Sequence, residues 1–197
     1  MLRAAHGLAD EIRSCLSLRT LSRRVLMFVG SGNNGGDALY AAAELAGEGF
    51  EIQVVPVAAR MHSHALASAL QHGVRVLDDD FEISLAAAQA GVIVDGILGT
   101  GSAASPALRG RAKDLVERML PIVRAGGPAF VAVDLPSGVH PDTGETPGDV
   151  VLPADVTVTF GGCKSGLLRG AGARLAGRIR VVDIGIGDEL ARMTPVV

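Results

Sequence analysis

At 197 residues the chain is long enough for one domain with a substantial core, and a formal net charge of −3 offers no basic field for nucleic acid. Hydrophobic residues make up 48% but aromatics only 3%, so the core must come from Ala, Val, Leu and Ile. Two cysteines, Cys15 and Cys163, form no disulfide framework and lack the spacing of a metal site, which points to a reducing cytoplasm.

No apolar run approaches the ~20 residues of a membrane span, and Asp10 and Glu11 interrupt the start too early for a signal peptide. The expectation is a single cytoplasmic domain over 1–197, with neither membrane nor nucleic acid as partner. Residues 3–16 place Ala4, Ala5, Leu8, Ala9, Ile12 and Leu16 at helical spacing, with Asp10, Glu11 and Arg13 off that stripe. Val25–Val29 is an apolar run that stops at Gly30, and a helix is predicted from Ala38 to about Gly47. Between them lies Ser31-Gly32-Asn33-Asn34-Gly35-Gly36-Asp37, so the order is strand, tight turn and helix N-terminus. Gly30, Gly32, Gly35 and Gly36 are expected to supply positive φ and close approach to a ligand, with the helix N–H groups favouring an anion. The side-chain oxygens of Asn33, Asn34 and Asp37 suit a cation beside that ligand. Gly30-Ser31-Gly32-Asn33-Asn34-Gly35 also fits GxGxxG in the right context, but three glycines are a weak signal in a chain with 26 of them.

A second strand is predicted over Glu51–Val57 and an Ala-rich helix over 62–72. His62, His64 and His72 do not share one face there, which predicts a solvated surface rather than a metal site. Val74–Leu77 reads as a short strand, and Asp78-Asp79-Asp80 as the N-terminal cap of a helix over 82–89. Gly91–Asp95 is an apolar strand ending in a carboxylate, and after a helix over 110–125, Ala129–Val133 is another, followed by Asp134. Val156–Phe160 and Ile179–Val182 are the last strands. Short apolar strands alternating with helices imply an α/β fold: a three-layer αβα sandwich with a Rossmann-like, mostly parallel sheet. Asn34, Asp37, Asp95 and Asp134 then converge on the crevice at the carboxyl ends of the strands, where such sheets bind ligands. Asp134 is expected to project from the rim rather than into the core.

Four ordered strings carry a family resemblance to about residue 187. They are Gly32–Asp37; Val94-Asp95-Gly96-Ile97-Leu98-Gly99-Thr100-Gly101; Val133–Gly138 with Asp142-Thr143-Gly144; and Thr157–Phe160 with Lys164 and Val182–Ile186. Together they resemble the NAD(P)H-hydrate epimerase family, the YjeF amino-terminal domain. The resemblance implies an isomerase that interconverts the R and S forms of NADH or NADPH hydrated at C6 of the ring (NAD(P)HX). It further implies cofactor repair beside an NAD(P)HX dehydratase, a homodimer, and a potassium ion held by Asn34, Asp95 and Ser137. Matched to the substrate are Asn33, Asn34, Gly35, Gly36, Asp37, Gly99, Thr100, Gly101, Ser102, Ala103, Ala104, Ser105 and Asp134. Lys164 is expected to contact phosphate or anchor a carboxylate.

Inverting C6 without redox requires the hydroxyl to leave and return on the other face while N1 supplies electrons. Asp134 is the first candidate for the acid and base, and Asp37 the second. The chain departs from the family at Ala38, where glycine is usual, in a longer 121–128, and in a short N-terminal segment. No dehydratase-like domain follows, so the chain is expected to stand alone or as a piece of a two-domain enzyme. A non-catalytic scaffold or nucleotide-sensing dimer domain is the competing reading, and the retained polar residues weigh against it. A dinucleotide-dependent oxidoreductase would need an acid after the second strand, where Val55-Pro56-Val57 stands.

Overall fold

The computed structural model describes residues 1–18 and 22–192. Its strands are β1 (Arg24–Val29), β2 (Glu51–Pro56), β3 (Arg75–Val76), β4 (Val92–Gly96), β5 (Ala129–Val133), β6 (Val156–Phe160) and β7 (Arg178–Val182). All seven are parallel, in the order β3-β2-β1-β4-β5-β6-β7. The chain therefore builds outward from β1 to one edge, returns, and builds outward from β4 to the other. The β1/β4 junction is the switch point at which open α/β sheets leave a crevice.

The helices are α1 (Leu2–Leu18), α2 (Asn33–Gly47), α3 (Ser63–Gln71), α4 (Asp80–Gln89), α5 (Gly110–Ala125), α6 (Gly172–Leu175) and α7 (Gly187–Ala191). Alternation along β1 shows how they divide. Val25, Met27 and Val29 pack with α1, α2 and α3, while Leu26 and Phe28 pack with Ile83 of α4 and Leu115 of α5. Each face of the sheet thus has its own aliphatic core, as a parallel sheet with buried faces requires. The predicted three-layer sandwich is the observed one. Among the described residues no helix is long and apolar enough to cross a membrane.

Several local expectations are refined. The second helix starts at Asn33 rather than Ala38, so the predicted turn residues form its first turn. Asp79 caps α4 by accepting from the Phe81 and Glu82 N–H groups at 3.0 Å. His62 is a half-buried cap that accepts from Ala65 N–H at 3.3 Å, and its ring meets Tyr40 edge-on. That corrects the expectation of a wholly solvated histidine face, although His64 and His72 are exposed. No cluster of His, Cys, Asp and Glu fit for a metal occurs among the described residues.

α1 crosses the sheet to reach its far edge, and one buried charge fixes it there. Glu11 is only 2% exposed and meets the Arg178 and Arg180 guanidinium groups of β7, the latter at 3.0 Å. The Cys15 thiol adds a long contact to the same carboxylate at 3.7 Å. Gly7 lets the helix approach β7, because a Cβ there would press on Val182. Removing the carboxylate leaves two arginines that water can still solvate, so Glu11→Ala is expected to cost about 1–3 kcal/mol. Urea unfolding measures it; an unchanged midpoint would show that α1 is held by its apolar face alone.

Candidate active site

The first motif gives its crevice shape by steric fit rather than by unusual dihedrals. None of Gly30, Gly32, Gly35 and Gly36 has positive φ, which corrects the sequence expectation. At Gly30 a Cβ would overlap the Ile97 carbonyl, and at Gly35 it would overlap the Gly30 carbonyl. Glycine is needed there because α2 starts hard against the end of β1 and the loop after β4. The first amide groups of α2 lack helical partners, and Gly32, Asn33 and Asn34, which begin it, line the cleft described below.

The Asn34, Asp95 and Ser137 side chains do converge. Asp95 is 2% exposed and accepts from Ser137 Oγ at 2.6 Å, Ser137 N–H at 2.8 Å and Ile97 N–H at 3.3 Å. Ser137 Oγ also accepts from Leu98 N–H at 2.9 Å. Asn34 donates from Nδ2 to the Leu98 carbonyl at 2.8 Å and the Val133 carbonyl at 2.6 Å. Burial pushes the Asp95 carboxyl above its ordinary range, while the hydrogen bonds from Ser137 and Ile97 pull it back. Among the described residues no lysine or arginine pairs with it. A buried carboxylate flanked by amide, hydroxyl and carbonyl oxygens is a hard donor set, and such a set fits a monovalent cation.

A second pair of carboxylates lies in opposite environments. Asp134 is 5% exposed, so it is not the projecting rim residue that the sequence suggested. It is the one non-glycine residue with positive φ among those described, at 68°. Lys164 Nζ stands 2.5 Å from its Oδ1, and Thr159 Oγ1 donates to the same oxygen at 3.0 Å. Lys164 also donates to Thr159 Oγ1 at 3.0 Å and the Phe160 carbonyl at 2.9 Å. Of its two expected roles, Lys164 therefore takes the anchoring of a carboxylate. Asp37 on α2 is 6% exposed, and its Oδ1 has no hydrogen-bond partner. Burial pushes its carboxyl up to about 6; the chain's amino terminus pulls it down and the Asp134 charge pushes it up further.

A cleft of about 280 Å³ is lined by Ser31, Gly32, Asn33, Asn34, Ile97, Leu98, Gly99, Thr100, Gly101 and Ser102. Of the predicted substrate residues it gathers Asn33, Asn34, Gly99, Thr100, Gly101 and Ser102, while Asp37 and Asp134 are not among its lining residues. Gly35 and Gly36 lie within α2 beside it, and a Cβ on Gly36 would stand 3.3 Å from the His62 ring. Of the remaining residues in the second motif, Ala103 and Ala104 line no cavity described here. Ser105 instead lines a neighbouring cavity. Sequence reasoning missed Thr159, whose strand reads as plain β-branched core, and the Leu98 carbonyl, which no side-chain pattern marks.

Residues 1–166 match the family of the YjeF-related protein N-terminus. The chain belongs to this family. A protein of Clavibacter michiganensis named NAD(P)H-hydrate epimerase is 49% identical over 98% of this chain and 84% of its own length. One of the same name from Microbacterium testaceum is 46% identical over 100% of this chain and 75% of its own. The bifunctional NAD(P)H-hydrate repair enzyme Nnr of Mycobacterium tuberculosis is 36% identical over 94% of this chain but only 37% of that protein. The crystal structure of yeast ynu0 superposes with a TM-score of 0.74 at 23% identity, over 99% of this chain and 79% of that one, and shares its fold.

Within this YjeF domain Gly99 is the tightest point of the cleft, because a Cβ there would overlap the Asn34 amide. Gly99→Ala is expected to displace that amide from its two carbonyls. Overpacking of this kind costs about 1–3 kcal/mol. Nucleotide affinity should fall far more than the folded fraction, as calorimetry and thermal melting on one preparation would show. Unchanged affinity would mean that the Asn34 position is irrelevant to the ligand.

Proposed function

We propose that this chain interconverts the R and S hydrates of NADH and NADPH, as the name of its relatives indicates for them. It acts as an NAD(P)H-hydrate epimerase in the repair of damaged nicotinamide cofactors. The observation that carries a catalytic rather than a scaffolding role is the pair of buried carboxylates, Asp37 and Asp134, kept in unlike environments. A scaffold has no use for a buried carboxylate oxygen without a partner, which costs stability. The relatives named bifunctional NAD(P)H-hydrate repair enzymes support a functional partnership with a dehydratase of the same substrate.

The carboxylates divide the chemistry. Asp37, raised to about 6, can hold a proton near neutrality and has a free oxygen with which to give it. It protonates the departing C6 hydroxyl, which leaves as water while the N1 lone pair forms the C=N bond. Asp134, locked by Lys164 and Thr159, presents a fixed negative charge to that cationic ring. Water then adds to the opposite face, the N1 lone pair is restored, and the surplus proton returns to the carboxylate pair. No electron leaves the substrate. This ordering reverses the sequence-based preference for Asp134 as the acid. Asn34, Asp95, Ser137 and the Leu98 carbonyl would hold a potassium ion, which when bound would offset the Asp95 charge.

The direct test is proton NMR of a hydrate mixture depleted of one epimer, with and without protein. Recovery of the missing epimer is expected; none at all would leave the scaffold reading. Asp37→Asn and Asp134→Asn should each lose on the order of 10²–10⁴-fold in turnover. Their stabilities should separate them. The folded Asp37 binds its proton more tightly than the unfolded one, so its contribution is present at low pH and is lost as pH rises from about 4 through about 6. Asp37→Asn should remove that decline and be more stable at pH 7 by on the order of 2–3 kcal/mol. Parallel melting curves for the two proteins between pH 4 and 7 would exclude the buried, raised carboxyl. For the cation, replacing tetramethylammonium by potassium should raise the melting temperature of the native protein but not of Ser137→Ala. An equal rise in both would remove Ser137 from the ligand set.

A further inference from the structure

A second cavity, of about 360 Å³, opens on the other side of the Gly30–Ser31 turn. Ser31, Ile97 and Leu98 line it and the 280 Å³ cleft alike, so the two are adjoining compartments. Their chemistry differs. The cleft is walled by Asn33, Asn34 and Thr100, whereas the second cavity is walled by Val57, Ala58, Leu108 and Ala112, with Ser105 and Arg109 as its polar side chains beside Ser31. No carboxylate lines it. Its neighbour Arg111 is already engaged by Asp78 at 2.9 Å and by the Pro56 carbonyl at 3.2 Å. Arg109 instead bonds the Ser105 hydroxyl at 2.8 Å, and no carboxylate pairs with it among the described residues.

We propose that this cavity receives the adenosine half of the substrate and that Arg109, with Ser105, binds a 2′-phosphate there. The phosphorylated hydrate is then bound more tightly than the unphosphorylated one. The inference rests on the substrate class given under the proposed function. A dinucleotide that enters the polar cleft needs more room than the cleft alone offers, and this cavity adjoins it through Ser31, Ile97 and Leu98 and is aliphatic, as the faces of a purine require. In open α/β sheets the carboxyl end of the strand beside the glycine turn reads the ribose 2′ position, by an acid for a hydroxyl or an arginine for a phosphate. Here that end is Val55-Pro56-Val57, with no acid to repel a phosphate. A guanidinium with no anionic partner stands in the same cavity, and its forked donors match phosphate oxygens.

The test is calorimetric titration with adenosine 2′,5′-bisphosphate and with adenosine 5′-monophosphate. The native protein is expected to bind the bisphosphate about ten- to a hundredfold more tightly, the ratio of one charge-assisted contact. Arg109→Gln should reduce that preference to within about twofold, and Ala58→Trp should weaken both ligands about tenfold or more by filling the cavity. Ala58 is exposed, so the second variant is expected to fold, and a melting curve checks it. Equal affinities in the native protein, or a preference that survives in Arg109→Gln, overturn the phosphate assignment. Affinities untouched by Ala58→Trp overturn the cavity assignment. The epimerisation assay on the same native preparation separates the two readings. Epimerisation with insensitive nucleotides sinks only this inference, and the expected nucleotide pattern without epimerisation sinks only the reaction.

Discussion

The site depends on one side chain that ties three separate pieces of chain together. Asn34 sits in the first turn of α2 and donates to carbonyls that belong to the loop after β4 and the end of β5. The Leu98 carbonyl lies outside the strands and the Val133 carbonyl also accepts from Leu135 N–H at 2.8 Å, so the Asn34 amide adds a close donor to each. The amide therefore joins them and sets the width of the crevice at once. Gly30 and Gly35 remove Cβ atoms that would strike backbone carbonyls, and Gly99 one that would strike the Asn34 amide itself. An aspartate at 34 would present oxygens to oxygens, and a leucine would donate to neither carbonyl.

Around that stitch the protein buries three carboxylates, Asp37, Asp95 and Asp134, all 6% exposed or less. Three like charges in a low-dielectric crevice cannot all stay ionised without compensation. Each is handled differently. Asp95 is wrapped by hydrogen bonds from Ser137 and Ile97, Asp134 has the Lys164 ammonium, and Asp37 has neither. Unlike environments for chemically identical groups are how one site holds an acid and an anion together at one pH. The separation also explains why α1 must be fixed firmly. Met1, the residue before that helix, lies beside Gly36, one residue before Asp37, and the Glu11 clamp to β7 anchors the helix that places it.

The layer structure was legible because β1, β4 and β5 are apolar runs too short for helices, and alternation along β1 assigns its residues to two cores. The crevice was legible for a related reason, since a carboxylate directly after an apolar parallel strand can only lie at one edge. Start positions were less so. The Gly-Asn-rich string looks like a turn by propensity, yet packing of the first turn of α2 on β4 overrides that preference and starts the helix at Asn33. Roles were the least legible. Nothing in the order of residues tells that Lys164 folds back on Asp134 rather than outward to phosphate, because that depends on the path of the chain after β6.

That path also accounts for the one strained residue. A left-handed φ costs an L-residue about 1–2 kcal/mol, and glycine at 134 would adopt it without that steric strain. It keeps a carboxylate instead. The strained backbone is held by the Asp134 N–H donating to the Val158 carbonyl at 2.7 Å and by the following Leu135 N–H closing onto Val133 at 2.8 Å. Both contacts turn the residue off the line of β5, and Thr159 of β6 with Lys164 of the following loop then hold its side chain. Strain that persists against an available glycine is retained for what the side chain does. A charge needed only for stability would sit more cheaply on the exposed surface, and the dihedral therefore supports the role proposed for the anion at 134.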